Sequence, residues 1–153
     1  MHTDLCPTIV ETLYCEALVL ADEARAAFDL SSRVAAAGRD EDLTRMALSC
    51  EALRTTTRMM HAIAWLLNQR AHFSGELTAF QLRQHGQLPP AQPDADPGQW
   101  ALLSAELQEL VARTQHFYAR IERLDRASRK SYSQQPAAVH RLRDRLDQAV
   151  GAL

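Results

Sequence analysis

Glutamate, histidine and cysteine are the residues with which a helical protein would hold a metal, and their spacing in this 153-residue chain does not suit that chemistry. A di-iron carboxylate centre in a bundle takes its ligands from Glu-x-x-His motifs that project inward from facing helices. No Glu here has a His three residues later, and no two His stand four apart. Cys6, Cys15 and Cys50 lack the Cys-x-x-Cys spacing of a zinc knuckle or redox pair, and an odd number of thiols fits a reduced state best. A nucleophile beside an oriented base requires no local motif when both come from separate helices. Cys50, however, falls on an apolar helical stripe, where cysteine acts as a small buried hydrophobe. A Gly-rich phosphate loop is missing. The expectation is a chain with no catalytic residue, no cofactor and no metal.

The elements that carry these residues are helical. Ala, Leu, Arg, Glu and Gln dominate, and most of the five Gly and six Pro lie between Gly75 and Gly98. Pro7 suits the first position of a helix over about 8–32, along which Val10, Leu13, Ala17, Leu20, Ala24 and Phe28 form one apolar stripe. Asp40 reads as the N-cap of a second helix over about 40–74, with Glu41 and Asp42 favoured by the helix dipole. In it Leu43, Met46, Cys50, Leu53, Thr57, Met60, Ala64, Leu67 and Ala71 keep a seven-residue repeat without a slip. That repeat is expected to be core, so that Leu53→Ala or Leu67→Ala should cost about 2–5 kcal/mol. A second stripe, Met59, Ile63 and Leu66, is predicted to remain for a homodimer contact.

Residues 76–84 suggest a short helix closed by Gly86, and the following LPPAQPDADPG reads as a loop that reverses the chain. Asp96-Pro97-Gly98-Gln99 then combines an N-cap with a proline at the first helical position. It opens a third helix over about 97–130, with Trp100, Leu103, Leu107, Leu110, Thr114, Phe117, Ile121 and Leu124 on one face. The pattern predicts an all-α, antiparallel three-helix bundle with a long central second helix over residues 1–131. Residues 132–153 are expected to be a flexible, mobile amphipathic C-terminal segment. Its ridge of Val139, Leu142, Leu146, Val150 and Leu153, flanked by arginines and aspartates, suits helix-in-groove binding to a partner.

A net charge of −2 provides no general field for a polyanion. The arginines between Arg120 and Arg145 are the best argument for the alternative reading, a helical nucleic-acid-binding transcriptional regulator. Glu122, Asp125, Asp144 and Asp147 are interleaved with them, as on a solvated face. No stretch approaches the ~18 apolar residues of a membrane span, and no basic segment precedes an apolar one at the N-terminus. Cytoplasmic residence without membrane contact is expected.

The least ordinary polar run is Glu51-Ala52-Leu53-Arg54-Thr55-Thr56-Thr57-Arg58, because consecutive β-branched threonines are unfavourable within a helix. The threonine hydroxyls are expected to bond back to the preceding turn, with Arg54 and Arg58 meeting Glu16 or Glu23 of the first helix. Trp65 and Trp100 lie on or beside apolar stripes and read as core.

This run and its continuation, EALRTTTRMM, AWLLNQRA and the Gly75-Glu76 pair, resemble the signature of the RcdA family, regulators of CtrA degradation in alphaproteobacteria. The matching positions are Glu51, Arg54, Thr56, Thr57, Arg58, Met60, Trp65, Leu66, Leu67, Gln69, Arg70, Ala71, Gly75 and Glu76, while His61 and Asn68 depart from the pattern. The resemblance covers roughly residues 10–76 and implies a dimeric three-helix-bundle proteolysis adaptor without hydrolytic activity. Its implied partners are the ClpX unfoldase of ClpXP with a priming adaptor, and substrate proteins or further adaptors of the cell cycle. Recruitment to a cell pole is part of the same implication. Glu51, Arg54, Thr56, Thr57, Arg58, Trp65, Gln69 and Arg70 become the motif residues that either build the fold or face a partner.

Overall fold

A computed structural model describes residues 5–38, 42–134 and 138–151. Among the described residues six helices follow one another: α1 (Pro7–Ala37), α2 (Asp42–Phe73), α3 (Ala79–His85), α4 (Pro97–Ala101), α5 (Ala105–Gln134) and α6 (Ala138–Gly151). The expected all-α bundle, with the second helix at its centre, is what the chain forms. The proposed N-cap at Asp40 lies outside the described residues.

Local chemistry accounts for the boundaries. Pro7 occupies the first turn of α1, and the Gly38 N–H donates to the Val34 carbonyl at its end. α2 stops at Gly75, whose φ of +84° is the left-handed region open to glycine, while Glu76 and Leu77 donate back to the Ala71 carbonyl. Thr78 and Gln81 form a reciprocal capping box on α3. Asp96 caps α4 by accepting from the Gly98 and Gln99 N–H groups. The expected third helix is interrupted at residues 102–104 and restarts where the Ser104 hydroxyl accepts from the Leu107 N–H at 3.3 Å. The interruption lets Leu103 turn into the core beside Phe28, Leu48 and Leu107.

α1 is antiparallel to both long partners. Glu11 meets Arg70 of α2, while Glu16 and Glu23 meet Arg120 and Arg113 of α5. α2 and α5 run parallel, since Arg58 meets Thr114 and Trp65 meets Asp125 further along both helices. The proline-rich connection therefore does not reverse the chain as expected; it carries it back along the bundle. It is anchored on the way, with Leu88 buried in the main core and the Tyr118 hydroxyl donating to the Pro89 carbonyl. That core joins Val10, Leu13, Ala17 and Leu20 of α1 with Met59, Trp65 and Leu66 of α2 and Phe117 and Ile121 of α5.

Candidate protein-interaction site

α2 positions nearly all the residues of interest, and its two faces divide them. On the inward face Glu51, Thr55, Arg58 and Gln69 are buried alongside Ala47, Met59, Trp65 and Leu66. Charge in such a place is stable only when paired and hydrogen-bonded. Arg54 donates to Glu51 at 3.3 Å, Thr55 donates to the other Glu51 oxygen at 3.4 Å, and Arg58 donates to Thr55 at 3.4 Å and to Thr114 of α5 at 2.9 Å. Thr114 in turn donates to the Val111 carbonyl. Burial pushes the Arg58 guanidinium below its ordinary pKa, against the opposing pull of Glu51 and Asp94. The Trp65 indole N–H reaches Asp125 at 2.9 Å, so this large side chain is buried with its donor satisfied.

This arrangement differs from the sequence expectation at two points. Arg54 and Arg58 bond within α2 and to α5, because Glu16 and Glu23 are taken by Arg120 and Arg113 at 2.8 Å each. The Thr55 hydroxyl is directed to the Glu51 side chain and not to the backbone of the preceding turn.

The outward face overturns the larger expectation. Leu43, Met46, Leu53, Met60 and Leu67 of the seven-residue repeat are exposed, Leu53 at 68% and Met60 at 64%. Cys50 and Thr57 are half-buried between them. The stripe assigned to the dimer is the one that forms the core: Leu66 is completely buried, Met59 nearly so, and Ile63 packs against the same cluster. Met59, Ile63 and Leu66 therefore cannot form a dimer surface in this bundle, and Leu53 is not a core residue. The cause is the polar network. Turning the seven-residue stripe inward would face Glu51 and Arg58 to solvent and separate Arg58 from Thr114, and the Met59, Trp65 and Leu66 side chains would lose α1 and α5.

The eight motif residues thus divide into groups. Glu51, Arg58, Trp65 and Gln69 are buried, Arg54 is mostly covered and Arg70 lies at the α1 boundary, stacked over Tyr14 at 4.5 Å. Thr56 is exposed and Thr57 half-buried on the outward face. Every exposed α2 residue from Met46 to Leu67 (Met46, Ser49, Leu53, Thr56, Met60, Ala64 and Leu67) is uncharged. A surface with that composition over six turns is the candidate contact site. The signal for it in the sequence was the strict period of seven, which belongs to a narrow coiled-coil seam, whereas a globular core prefers a broader stripe.

In α6 Leu142, Leu146 and Val150 are exposed and form the expected ridge. The side chain of Val139 and the whole of Leu153 lie outside the described residues. Arginines of α5 are drawn into ion pairs, Arg113 and Arg120 with α1 and Arg126 and Arg129 with Glu122 and Asp125 at 3.7 and 3.1 Å. A groove of about 460 Å³ between α1 and α5 is lined by Val19, His116 and Phe117 and by these same two cross-helix arginines, each paired with a glutamate. Among the described residues no group of three or more His, Cys, Asp or Glu is placed to hold a metal, and no helix is long and apolar enough to cross a membrane.

Comparison with known families matches residues 1–150 to the family described as "Protein of unknown function (DUF1465)". No curated protein and no solved structure matches the chain.

Proposed function

We propose that this protein, which belongs to the DUF1465 family, is a non-enzymatic adaptor of the RcdA type that delivers cell-cycle regulators to the ClpXP protease. The observation that carries the reading is the uncharged outward face of α2. A second apolar surface, the α6 ridge, is separate from it, so the chain offers distinct contacts of the kind an adaptor joins. The motif at Glu51–Arg58, which resembles the RcdA signature, supplies the partner class: the ClpX unfoldase with its priming adaptor, and substrates or further adaptors. The working unit is a homodimer, resident in the cytoplasm and recruited to a cell pole.

The test is reconstitution. Purified ClpX and ClpP, the priming adaptor and a cell-cycle regulator are combined with and without this protein, and substrate loss is followed on a gel. Faster loss that depends on ClpX is expected. Equal rates across candidate regulators would remove the reading.

A further inference from the structure

The outward face of α2 has a property beyond being apolar: it is self-complementary. Its seven-residue repeat runs from Leu43 to Ala71, roughly 40 Å along the axis. One position of each heptad carries a long side chain (Met46, Leu53, Met60 and Leu67), and the other carries a small one from Cys50 onward (Cys50, Thr57, Ala64 and Ala71). From Met46 to Leu67 the order of long and small residues reads the same in both directions about Thr57. A strict seven-residue stripe drifts by about 20° per heptad around a straight helix, so the object that follows it must be another helix winding with it.

The geometry points to α2 of a second copy as that helix, antiparallel, with Thr57 on the two-fold axis. This rests on the homodimer proposed above and supplies its interface. In this register Cys50 lies opposite Ala64 of the second copy and Thr57 meets itself, while Leu53 falls within one residue of Met60 and Met46 within one residue of Leu67. Long residues thus share layers with long ones, and small layers between them let the helices approach closely. The antiparallel sense also sets the dipoles of the two helices against each other, positive end beside negative end. A parallel pair would align the two dipoles and set Cys50 against Cys50. The α6 ridge is a poorer occupant, because 14 residues span about 21 Å and leave half the seam uncovered.

Thiol pairing reads the register directly, since a disulfide forms only when the two Cα atoms lie within about 7 Å. In full-length protein carrying Cys6→Ser and Cys15→Ser, Cys50 alone should give no covalent dimer under mild oxidation. Adding Ala64→Cys should give one, and adding Cys50→Ser to that variant should abolish it. Met60→Glu, at an exposed position, should raise the dimer dissociation constant by about a hundredfold or more at unchanged helix content. Leu142→Glu with Leu146→Glu should leave it alone. Covalent dimers from Cys50 alone, or from Ala64→Cys without Cys50, would establish parallel pairing and overturn the register. A dimer indifferent to Met60→Glu would place the interface elsewhere and leave the homodimer standing, whereas a monomer at every concentration in ultracentrifugation would remove both. Dimer loss on the α6 substitutions would assign the seam to α6 and overturn the proposal.

Discussion

α1 and α2 are almost equal in length and lie along each other, yet their faces have opposite character. α1 buries Val10, Leu13, Ala17 and Leu20 and turns ion pairs outward, Asp22 with Arg25 at 2.9 Å and Asp29 with Arg33 at 3.3 Å. Its exposed large apolar residues are Leu18, Val19, Leu30 and Val34, of which Leu30 and Val34 stand next to Asp29 and Arg33. α2 buries Glu51, Thr55, Arg58 and Gln69 and exposes Met46, Leu53, Met60 and Leu67 with no charge between them. The contrast teaches that hydrophobicity alone does not decide which stripe is buried in this bundle. A polar stripe is buried where its bonds are waiting, as Arg58 finds Thr114, and the apolar stripe is left exposed.

The comparison breaks most sharply at Arg58. Arg58→Ala should destabilise the fold by about 3 kcal/mol in urea titrations, because the charged bonds to Thr55 and Thr114 are lost and the buried Glu51 keeps Arg54 alone as a neighbouring positive charge. Leu66→Ala, the apolar counterpart on the same face, should cost about 2–5 kcal/mol, read as a fall in the thermal midpoint.

Tyr118 sharpens the comparison through pH. Burial, with Glu122 and Asp125 adding to it, pushes its hydroxyl up to about 12 from 10.0. The unfolded phenol loses its proton first, so stability is full below pH 10 and falls between about pH 10 and 12. Tyr118→Phe should flatten that decline in alkaline unfolding curves and cost about 1 kcal/mol at neutral pH through the lost bond to Pro89. At the small end, Glu23→Ala should change stability by no more than about 0.5 kcal/mol, since the pair it forms with Arg113 is half exposed. Leu53→Ala should be as mild for a folded monomer, within about 0.5 kcal/mol. A Leu53→Ala loss as large as that of Leu66→Ala in dilute monomer would refute the assignment of faces.

Much of the architecture was legible in residue spacing. The stripes of α1 and α5 lie where their 3–4 periodicity places them, and Gly86 and the Asp96–Pro97 pair bound the short elements by their own backbone chemistry, whereas the Thr78 cap starts α3 later than the expected residue 76. α2 was ambiguous because it carries two competing apolar stripes. Choosing between them depends on Thr114 and Asp125, which lie 56 and 60 residues away from the side chains they satisfy. No local window contains that information. The candidate site was inverted for the same reason: Met59 and Leu66 were assigned to a partner, and Leu53 and Met60 to the core. The direction of α5 was illegible too, because a proline-rich loop signals a change of path without fixing where it leads, and Leu88 and Pro89 make their anchoring contacts only once Tyr118 is in place.

The parallel course of α2 and α5 also shapes how the chain folds. α1 and α2 are separated by only four residues of sequence, so bringing them together carries a small loop-closure cost. α5 must close a far longer loop before Arg58 reaches Thr114, and only then are the guanidinium and Glu51 withdrawn from water together. Slowing of refolding by substitutions should therefore separate by partner. Changes at the α1–α2 contact, such as Leu66→Ala, should slow collapse itself, whereas Thr114→Val should mainly speed unfolding, since its bond is among the last to form.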